Sequence, residues 1–207
     1  MYNMKETCHF KKTFLLAAWT FFSLYSSANA QVAANAPTLR GVYTHNFISV
    51  INDQPYQITI ALPLRYSPTD TIQYPVLYIL DGDPDLLLVA LIQRDLSYGH
   101  EVPDMIMVGI GYQVADFLSS RPFRTLDYTP TRAPKIDSIM TANHHLNMVS
   151  GGAHKFLSVI KEEIIPFVDH SYRTNQDRAL AGHSFGGLFA AYTLFHQPDL
   201  FNRYLIS

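Results

Sequence analysis

The sequence predicts an α/β fold in which helices cover both faces of a mostly parallel, twisted sheet. Two continuous apolar runs, Val76–Leu80 and Met105–Ile110, are typical of strands that a parallel sheet buries on both faces. The segment Asp85–Leu96 between them has the pattern of a helix, and strand–helix–strand is the unit from which such sheets are built. A short strand at Ala179–Ala181, followed by a helix over Gly186–His196, continues the same order of elements.

Periodicity predicts the elements that flank this core. Alternation over Tyr56–Leu62 predicts a half-buried strand, and Thr38–Ile51 is its expected hairpin partner across the turn at residues 52–55. Apolar spacing from Gly152 onward predicts a helix, which Pro166 should kink or end shortly afterwards.

The stretch Gln113–Asn147 is predicted to be irregular, because it contains Pro122, Pro130 and Pro134 and few apolar runs. A long segment without regular structure inside a compact domain is usually functional or mobile. We therefore expect a cap or a substrate loop in this part of the chain.

The N-terminal end of the chain has the layout of a secretory signal peptide. Lys5, Lys11 and Lys12 precede a stretch of about thirteen mostly apolar residues, and Ala28–Ala30 supplies a small-x-small cleavage site. A membrane anchor is the alternative, but a spanning helix needs about twenty apolar residues. We expect a signal peptide over 1–30, a linker over 31–38 and a domain over 39–207. The expected location is periplasmic or secreted, with no stable membrane span after cleavage.

Charge and cysteine content restrict the partners. The 207 residues carry a net charge of -2, and no cluster of Lys and Arg follows residue 12, which argues against nucleic acid as a partner. The single cysteine, Cys8, lies in the predicted signal peptide, so the mature chain should have no disulfide, thiol nucleophile or Cys-ligated metal. The sequence predicts no cofactor and leaves the oligomeric state open.

The run Gly182–Gly187 contains a Gly-x-Ser-x-Gly motif centred on Ser184. This motif is informative only between a strand and a helix, and both are predicted here. A serine at such a turn projects from the carboxyl end of the sheet. The amide of Phe185, which starts the following helix, can donate to an oxyanion. The alternative is a chance match of the motif in a loop. Because the flanking strand and helix are both predicted, we expect Ser184 to be the catalytic nucleophile.

Asp81, Gly82 and Asp83 follow the strand predicted at Val76–Leu80 and are candidates for the second part of an oxyanion hole. Gly82 permits close backbone approach, so the amide of Gly82 or of Asp83 is the expected donor. A plain strand-ending turn is the alternative, as are surface or metal-binding roles for Asp81 and Asp83. No third ligand lies nearby, so no metal site is predicted.

Several further segments share their order and spacing with one family: Tyr74–Gly82, Val108–Tyr112, Arg124–Pro130, Gly151–Ala153, Phe156–Leu157, Ile164–Pro166 and Ala181–Gly187. From about residue 40 onward the chain resembles the esterase family of the α/β-hydrolase fold, which includes the siderophore (enterobactin and salmochelin) esterases and the esterase D relatives. The resemblance implies a serine carboxylic-ester hydrolase, with Ser184 as nucleophile and Asp81–Gly82 in the oxyanion region. Arg124 and Asp127 match a family segment beside the site. Their preferred role is a structural ion pair, and substrate contact is the alternative.

The acid and the histidine that activate such a serine should follow it in the chain, and only His196 and Asp199 do so. His196 lies on the same predicted helix, roughly 18 Å along its axis, whereas a base must come within about 3 Å of the hydroxyl. Asp199 lies further away. Other histidines are adjacent to the serine or lie in or near the irregular segment, and they are weaker candidates: His183, His144, His145 and His154.

The last predicted strand, Arg203–Ile206, leaves the sheet with fewer strands than the family has. We therefore expect residues 39–207 to be the N-terminal portion of an α/β-hydrolase esterase domain that is C-terminally incomplete, as a frameshifted gene or a partial sequence would produce. The chain is then an exported esterase for a small-molecule ester whose acid and base lie downstream. The alternatives are a non-catalytic truncated product and an exported binding module. The aromatic content of 13% and the long segment Gln113–Asn147 would suit an aryl or catechol-bearing ester. The family resemblance implies siderophore-like esters.

Overall fold

The computed structural model describes residues 39–207, apart from the side chains of residues 83–85. Gly41–Ser207 form one compact unit. The predicted signal peptide over 1–30, the linker over 31–38 and Cys8 lie outside the described residues. In the described part of the chain, no helix is both long enough and apolar enough to cross a membrane.

The sheet has six strands, which in chain order are β1 (Val42–Ile48), β2 (Pro55–Ala61), β3 (Tyr74–Leu80), β4 (Ile106–Tyr112), β5 (Thr174–Gly182) and β6 (Arg203–Ile206). Their order across the sheet is β1-β2-β4-β3-β5-β6. The pairs β1–β2 and β2–β4 are antiparallel, and the other three pairs are parallel. The mostly parallel sheet and the hairpin predicted at its start are therefore confirmed.

The helical elements are α1 (Gly82–Tyr98), α2 (Phe117–Tyr128), α3 (Pro134–His144), α4 (Ala153–Val159), a π-helical turn (Ile160–Ile164), α5 (Ile165–Ser171) and α6 (Phe185–His196). The unit β3–α1–β4 is the predicted strand–helix–strand unit. Both α1 and β5 extend beyond their predicted bounds.

The sheet separates two apolar clusters, because alternate side chains of a strand point to opposite faces. On one face, Tyr78 of β3 packs in a cluster with Phe156 of α4 and Phe189 of α6. On the other face, Met107 of β4 packs in a cluster with Leu86 of α1. Burial on both faces explains why β3 and β4 appear in the sequence as continuous apolar runs.

The helix that begins at α4 continues through Pro166 and ends at Ser171, in agreement with the predicted end shortly after the proline. The N–H of Ile165 donates to the carbonyl of Ile160, five residues earlier, which widens the turn just before the proline. Pro166 then occupies the first turn of α5, where its missing N–H is tolerated, and the helix runs on to Ser171.

The prediction that Gln113–Asn147 is irregular is wrong, because α2 and α3 both lie within it. The buried face of α2 is largely polar: it consists of Ser120, Thr125 and Asp127 together with Tyr128. A helix of this kind lacks the apolar stripe on which periodicity depends.

Signals for the beginnings of both helices are nevertheless present in the sequence. Oδ1 of Asp116 accepts a hydrogen bond of 2.9 Å from the N–H of Ser119 and thereby caps α2. Pro134 stands at the start of α3, where proline is favoured. Attention to capping residues, in addition to apolar spacing, would have identified these helices.

Gly82 allows the first turn of α1 to lie directly against β4. A Cβ atom placed on Gly82 would lie 2.2 Å from the Cα atom of Gly109. Backbone rather than a flexible side chain occupies that space, so no rotamer change could relieve the overlap. The two glycines therefore determine how closely α1 approaches the sheet.

Replacing Gly82 with alanine should destabilise the fold, because α1 or β4 would have to shift. Overpacking of this kind typically costs about 1–3 kcal/mol. Gly99→Ala is the matched control, since a Cβ there would meet its nearest atom, the carbonyl oxygen of Leu96, at an ordinary 3.5 Å. Urea denaturation of both variants measures the difference, and equal stability of the two would contradict the close approach.

Candidate active site

Ser184 lies at the turn from β5 into α6, at the carboxyl end of the strand. Its backbone has φ 57° and ψ -119°, outside the regions that residues other than glycine favour. The turn is tight, since a Cβ atom on Gly182 would lie 2.3 Å from the carbonyl oxygen of Gly186. Ser184 is exposed. This strand–turn–helix context is the one that gives the Gly-x-Ser-x-Gly motif its meaning.

Asp81 occupies the corresponding position at the end of β3, the strand beside β5. Its backbone is left-handed, with φ 56° and ψ 38°, and α1 begins at the next residue, Gly82. The expected loop over Asp81–Asp83 is therefore a single turn residue, because the left-handed conformation redirects the chain at once. Gly82 and Asp83 belong to the first turn of α1, where backbone amides have no acceptor within the helix. Phe185 is the first residue of α6, as Gly82 is of α1.

The two strand ends lie next to each other. A Cβ atom on Gly186 would lie 3.4 Å from Cβ of Leu80 and 3.6 Å from Oδ2 of Asp81. The N-termini of α1 and α6 therefore share one edge of the sheet, where both offer amide donors and the positive ends of helix dipoles. Such an arrangement can stabilise negative charge that develops near Ser184.

Arg124 forms a bidentate ion pair with Asp81: Nη2 donates to Oδ2 at 2.8 Å, and Nε donates to Oδ1. The two side chains are 14% and 16% exposed, and the guanidinium lies over the rings of Phe117 and Tyr128. Burial opposes the charge, but the Asp81 carboxylate outweighs this effect and raises the pKa of Arg124. The predicted ion pair between Arg124 and Asp127 is therefore wrong, since Asp81 is the partner.

Asp127 points into the core from the buried face of α2, which is why it does not meet Arg124. Its Oδ2 accepts hydrogen bonds from the hydroxyls of Tyr56, at 2.7 Å, and Tyr112, at 3.2 Å. Burial raises the pKa of Asp127 to about 7, although both hydroxyls act in the opposite direction. Asn52 donates in turn to the Tyr56 hydroxyl. Sequence reasoning missed this network, although the alternation along β2 identified Tyr56 as an inward-facing residue.

A cavity of about 250 Å³ opens where the end of β4 meets the start of α2. Its lining includes Tyr112, Phe117 and Ser120, together with Asp81. Ser184 does not line this cavity, so Asp81 forms the common wall between the cavity and the Ser184 turn. The cavity is large enough for a single aromatic ring and lies at the same edge of the sheet as the serine.

Among the side chains that the structure describes, which exclude those of residues 83–85, none forms a hydrogen bond with the Ser184 hydroxyl. His196 lies at the far end of α6, as predicted, and its Nδ1 lies 2.9 Å from the carbonyl oxygen of Tyr192. The ring of His183 contacts Ser207, whose Oγ lies 3.1 Å from its Nδ1. Neither histidine is positioned as the base for Ser184.

None of the three remaining candidate histidines forms a hydrogen bond with the serine hydroxyl. His144 ends α3 and its ring lies 2.7 Å from Nη1 of Arg121, while His145 and His154 are exposed. Among the described residues, no group of three or more His, Cys, Asp or Glu side chains could hold a metal ion.

Comparison with known proteins agrees with this geometry. The model of the Esterase family matches residues 49–206. The chain belongs to the esterase family. Among curated relatives, the siderophore enterobactin esterase of Emericella nidulans is 34% identical over 163 residues, which are 75% of this chain and 53% of the relative. The ferri-bacillibactin esterase BesA of Bacillus subtilis is 31% identical over 181 residues, which are 83% of this chain and 59% of the relative.

Solved structures resemble this esterase-family chain as well. The BES protein from Bacillus cereus has a TM-score of 0.72 at 30% identity, covering 84% of this chain and 63% of that protein. The siderophore hydrolase EstA from Aspergillus nidulans has a TM-score of 0.66 at 29% identity, covering 83% and 60%. The predicted α/β-hydrolase type of fold is thus confirmed. The chain spans about half the length of the curated relatives it matches.

The raised pKa of Asp127 should make the stability of this esterase-family fold depend on pH. The folded state favours the protonated carboxyl, with a pKa of about 7 against an ordinary 3.8. The stabilising contribution is therefore complete below about pH 4 and is lost as the pH rises through 7. At about 1.4 kcal/mol per pKa unit, the loss is on the order of 4 kcal/mol.

Urea denaturation between pH 4 and pH 8 measures this effect against Asp127→Asn, which cannot titrate. The free energy of unfolding of the wild type should fall relative to that of the variant as the pH rises. Parallel profiles for the two proteins would show that Asp127 does not prefer the protonated form in the fold.

Proposed function

We propose that the chain is a serine carboxylic-ester hydrolase that works through an acyl-enzyme on Ser184. The observation that carries the proposal is the positive φ of Ser184 at an exposed turn between β5 and α6, in a chain of the esterase family. Strained backbone conformations cluster at functional sites, where the surrounding structure maintains them. Among the described side chains, none forms a hydrogen bond that would give the Ser184 hydroxyl a structural role.

In the proposed reaction, Oγ of Ser184 attacks the ester carbonyl while a base removes the hydroxyl proton. The carbonyl oxygen becomes an oxyanion, which the amide of Phe185 and the amide of Gly82 or Asp83 stabilise. The alcohol leaves with the proton, and the acyl group remains on Ser184. Water then attacks the acyl-enzyme, which releases the carboxylic acid product and regenerates the Ser184 hydroxyl.

The base that removes the serine proton, and the acidic side chain that assists this base, are proposed to lie in the part of the relatives that this chain does not match. Two observations support this assignment: the rings of His144, His183 and His196 contact groups other than the Ser184 hydroxyl, and the chain spans about half of the curated relatives. A serine without its base is a poor nucleophile. Activity of these 207 residues by themselves is therefore the first quantity to measure.

The proposed substrates are siderophore-like or aryl esters. The relatives described above are named for the siderophores enterobactin and ferri-bacillibactin. The cavity beside Asp81 supports the same class, because the exposed ring of Phe117 offers a stacking surface at its rim. Export to the periplasm or the medium is proposed from the signal-peptide pattern over residues 1–30.

In a protein that also carries the proposed acid and base, Ser184→Ala is expected to abolish labelling by a fluorophosphonate probe and to lower hydrolysis of p-nitrophenyl butyrate by about a thousandfold or more, down to background. Alanine tolerates the turn no better and no worse than serine, so the fold should be retained. Ser171→Ala, an exposed serine at the end of α5, is the control and should behave as wild type. Equal labelling and equal rates for wild type and Ser184→Ala would favour a non-catalytic truncated product or a binding module.

Phe117→Ala tests the substrate class. Loss of one aromatic stacking contact is worth about 0.5–1.5 kcal/mol. The kcat/KM for p-nitrophenyl hydrocinnamate should therefore fall about three- to tenfold relative to that for p-nitrophenyl acetate. Phe195→Ala, which removes an 82% exposed ring near the end of α6, is the control. If both variants change the ratio equally, the cavity does not select the aromatic group.

A further inference from the structure

Two contacts from α2 hold Asp81 in its left-handed conformation. Arg124 clamps the carboxylate through two parallel hydrogen bonds, and the hydroxyl of Tyr128 accepts a hydrogen bond of 3.1 Å from the Asp81 amide. A residue with a Cβ atom disfavours this backbone region by roughly 1–2 kcal/mol. Asp81 therefore depends on its partners, and its conformation in turn sets the direction of the first-turn amides of α1.

The charge of Asp81 is placed where it could interfere with ester chemistry. Its Oδ2 lies beside Gly186, two residues after Ser184. An unpaired carboxylate there would repel the negative charge that forms on the ester oxygen, and its 16% exposed side chain leaves little room for screening by water. Arg124 neutralises this charge within the ion pair.

Arg124 is itself held in one place. Its guanidinium lies 5.5 Å from the ring centroid of Phe117 and 5.4 Å from that of Tyr128, both on the same helix. The planar group thus meets Asp81 with a fixed orientation, which a flexible ammonium group would not reproduce.

We propose that Arg124 is a positioning residue that keeps Asp81 left-handed, so that the amides of Gly82 and Asp83 face the ester oxygen, and that cancels the Asp81 charge beside it. This inference rests on the proposed function for its catalytic part only. The structural part, control of the Asp81 conformation, stands by itself. A role for Arg124 in direct substrate contact is the alternative that the experiments exclude or support.

The structural part is tested by hydrogen exchange of the Asp81 amide, followed by NMR. Arg124→Met should speed this exchange by about tenfold relative to the wild type, and Arg124→Lys should give an intermediate rate. Arg121→Met is the matched control on the same helix, because Arg121 contacts His144 instead. Unchanged exchange in Arg124→Met, in a protein with wild-type exchange elsewhere, would overturn the proposal whether or not the chain hydrolyses esters.

The catalytic part is tested by steady-state hydrolysis of p-nitrophenyl butyrate, with a protein that also carries the proposed acid and base. Arg124→Met should lower kcat by about tenfold or more while KM changes less than about twofold, since the loss arises in the transition state. The double variant Asp81→Asn/Arg124→Met should recover most of kcat, because the uncompensated charge is gone. A raised KM without recovery in the double variant would overturn the proposal in favour of substrate contact.

The two failures are distinguishable. If a wild type that carries the proposed acid and base and its Ser184→Ala variant are equally inactive, the proposed function fails, and amide exchange still decides whether Arg124 holds Asp81. If the wild type is active and Arg124→Met keeps a wild-type kcat despite faster exchange, the positioning role fails while the esterase proposal stands. Thermal midpoints of all variants separate either result from loss of folding.

Discussion

Two neighbouring parallel strands each pass into a helix through a turn of one or two residues that contains one residue with positive φ, and the arrangement of the site depends on this constraint. Asp81 and Ser184 have φ values of 56° and 57° at the ends of β3 and β5. Because adjacent parallel strands end at the same edge, α1 and α6 begin side by side. The first-turn amides at both helix starts, which have no acceptor within their helices, therefore lie at the same edge, and this backbone geometry favours an anion there.

Such tight turns are possible only where neighbouring backbones can approach closely. Gly82 faces Gly109 across the α1–β4 contact, and Gly182 faces Gly186 within the Ser184 turn. The helix α2 supports the same edge of the sheet with polar groups. Arg124 donates a hydrogen bond to the carboxylate of Asp81, and Asp127 accepts one from the hydroxyl of Tyr56. Buried polar groups stabilise a unique arrangement when they are fully satisfied, and they do so more strongly in a low dielectric. A polar inner face on α2 is thus a structural requirement of this edge.

The same polarity explains which parts of the structure could be predicted from the sequence. The buried strands and the Ser184 turn follow from apolar runs and from a glycine pattern, both of which are local signals. The helix α2 gave no apolar stripe, because Ser120, Thr125 and Asp127 form its buried face. Some of its polar side chains bind residues that are far away in the sequence, such as Asp81 and Tyr56.

The ion-pair partner of Arg124 shows most clearly what could not be predicted from the sequence. Asp127, three residues away, is the obvious carboxylate in the sequence, whereas Asp81 is 43 residues away and forms the pair. Spacing on a helix surface brings residues three apart close together only if both point the same way into solvent. Here one side chain points to the site and the other into the core, and only the three-dimensional packing decides which is which.

The strained backbone of Ser184 also needs support from β6, the strand that flanks β5 on the side away from β3. The N–H of Ser184 donates to the carbonyl of Ser207 at 2.8 Å, and the N–H of Ser207 donates to the carbonyl of Gly182 at 3.1 Å. The two bonds therefore bracket the turn. A backbone conformation that costs on the order of 1–3 kcal/mol persists only when surrounding contacts compensate it, and two hydrogen bonds of about 1 kcal/mol each supply a comparable amount. The end of β6 thus acts as a brace for the turn, and any change that frees this end should relax Ser184 before it loosens the rest of the sheet.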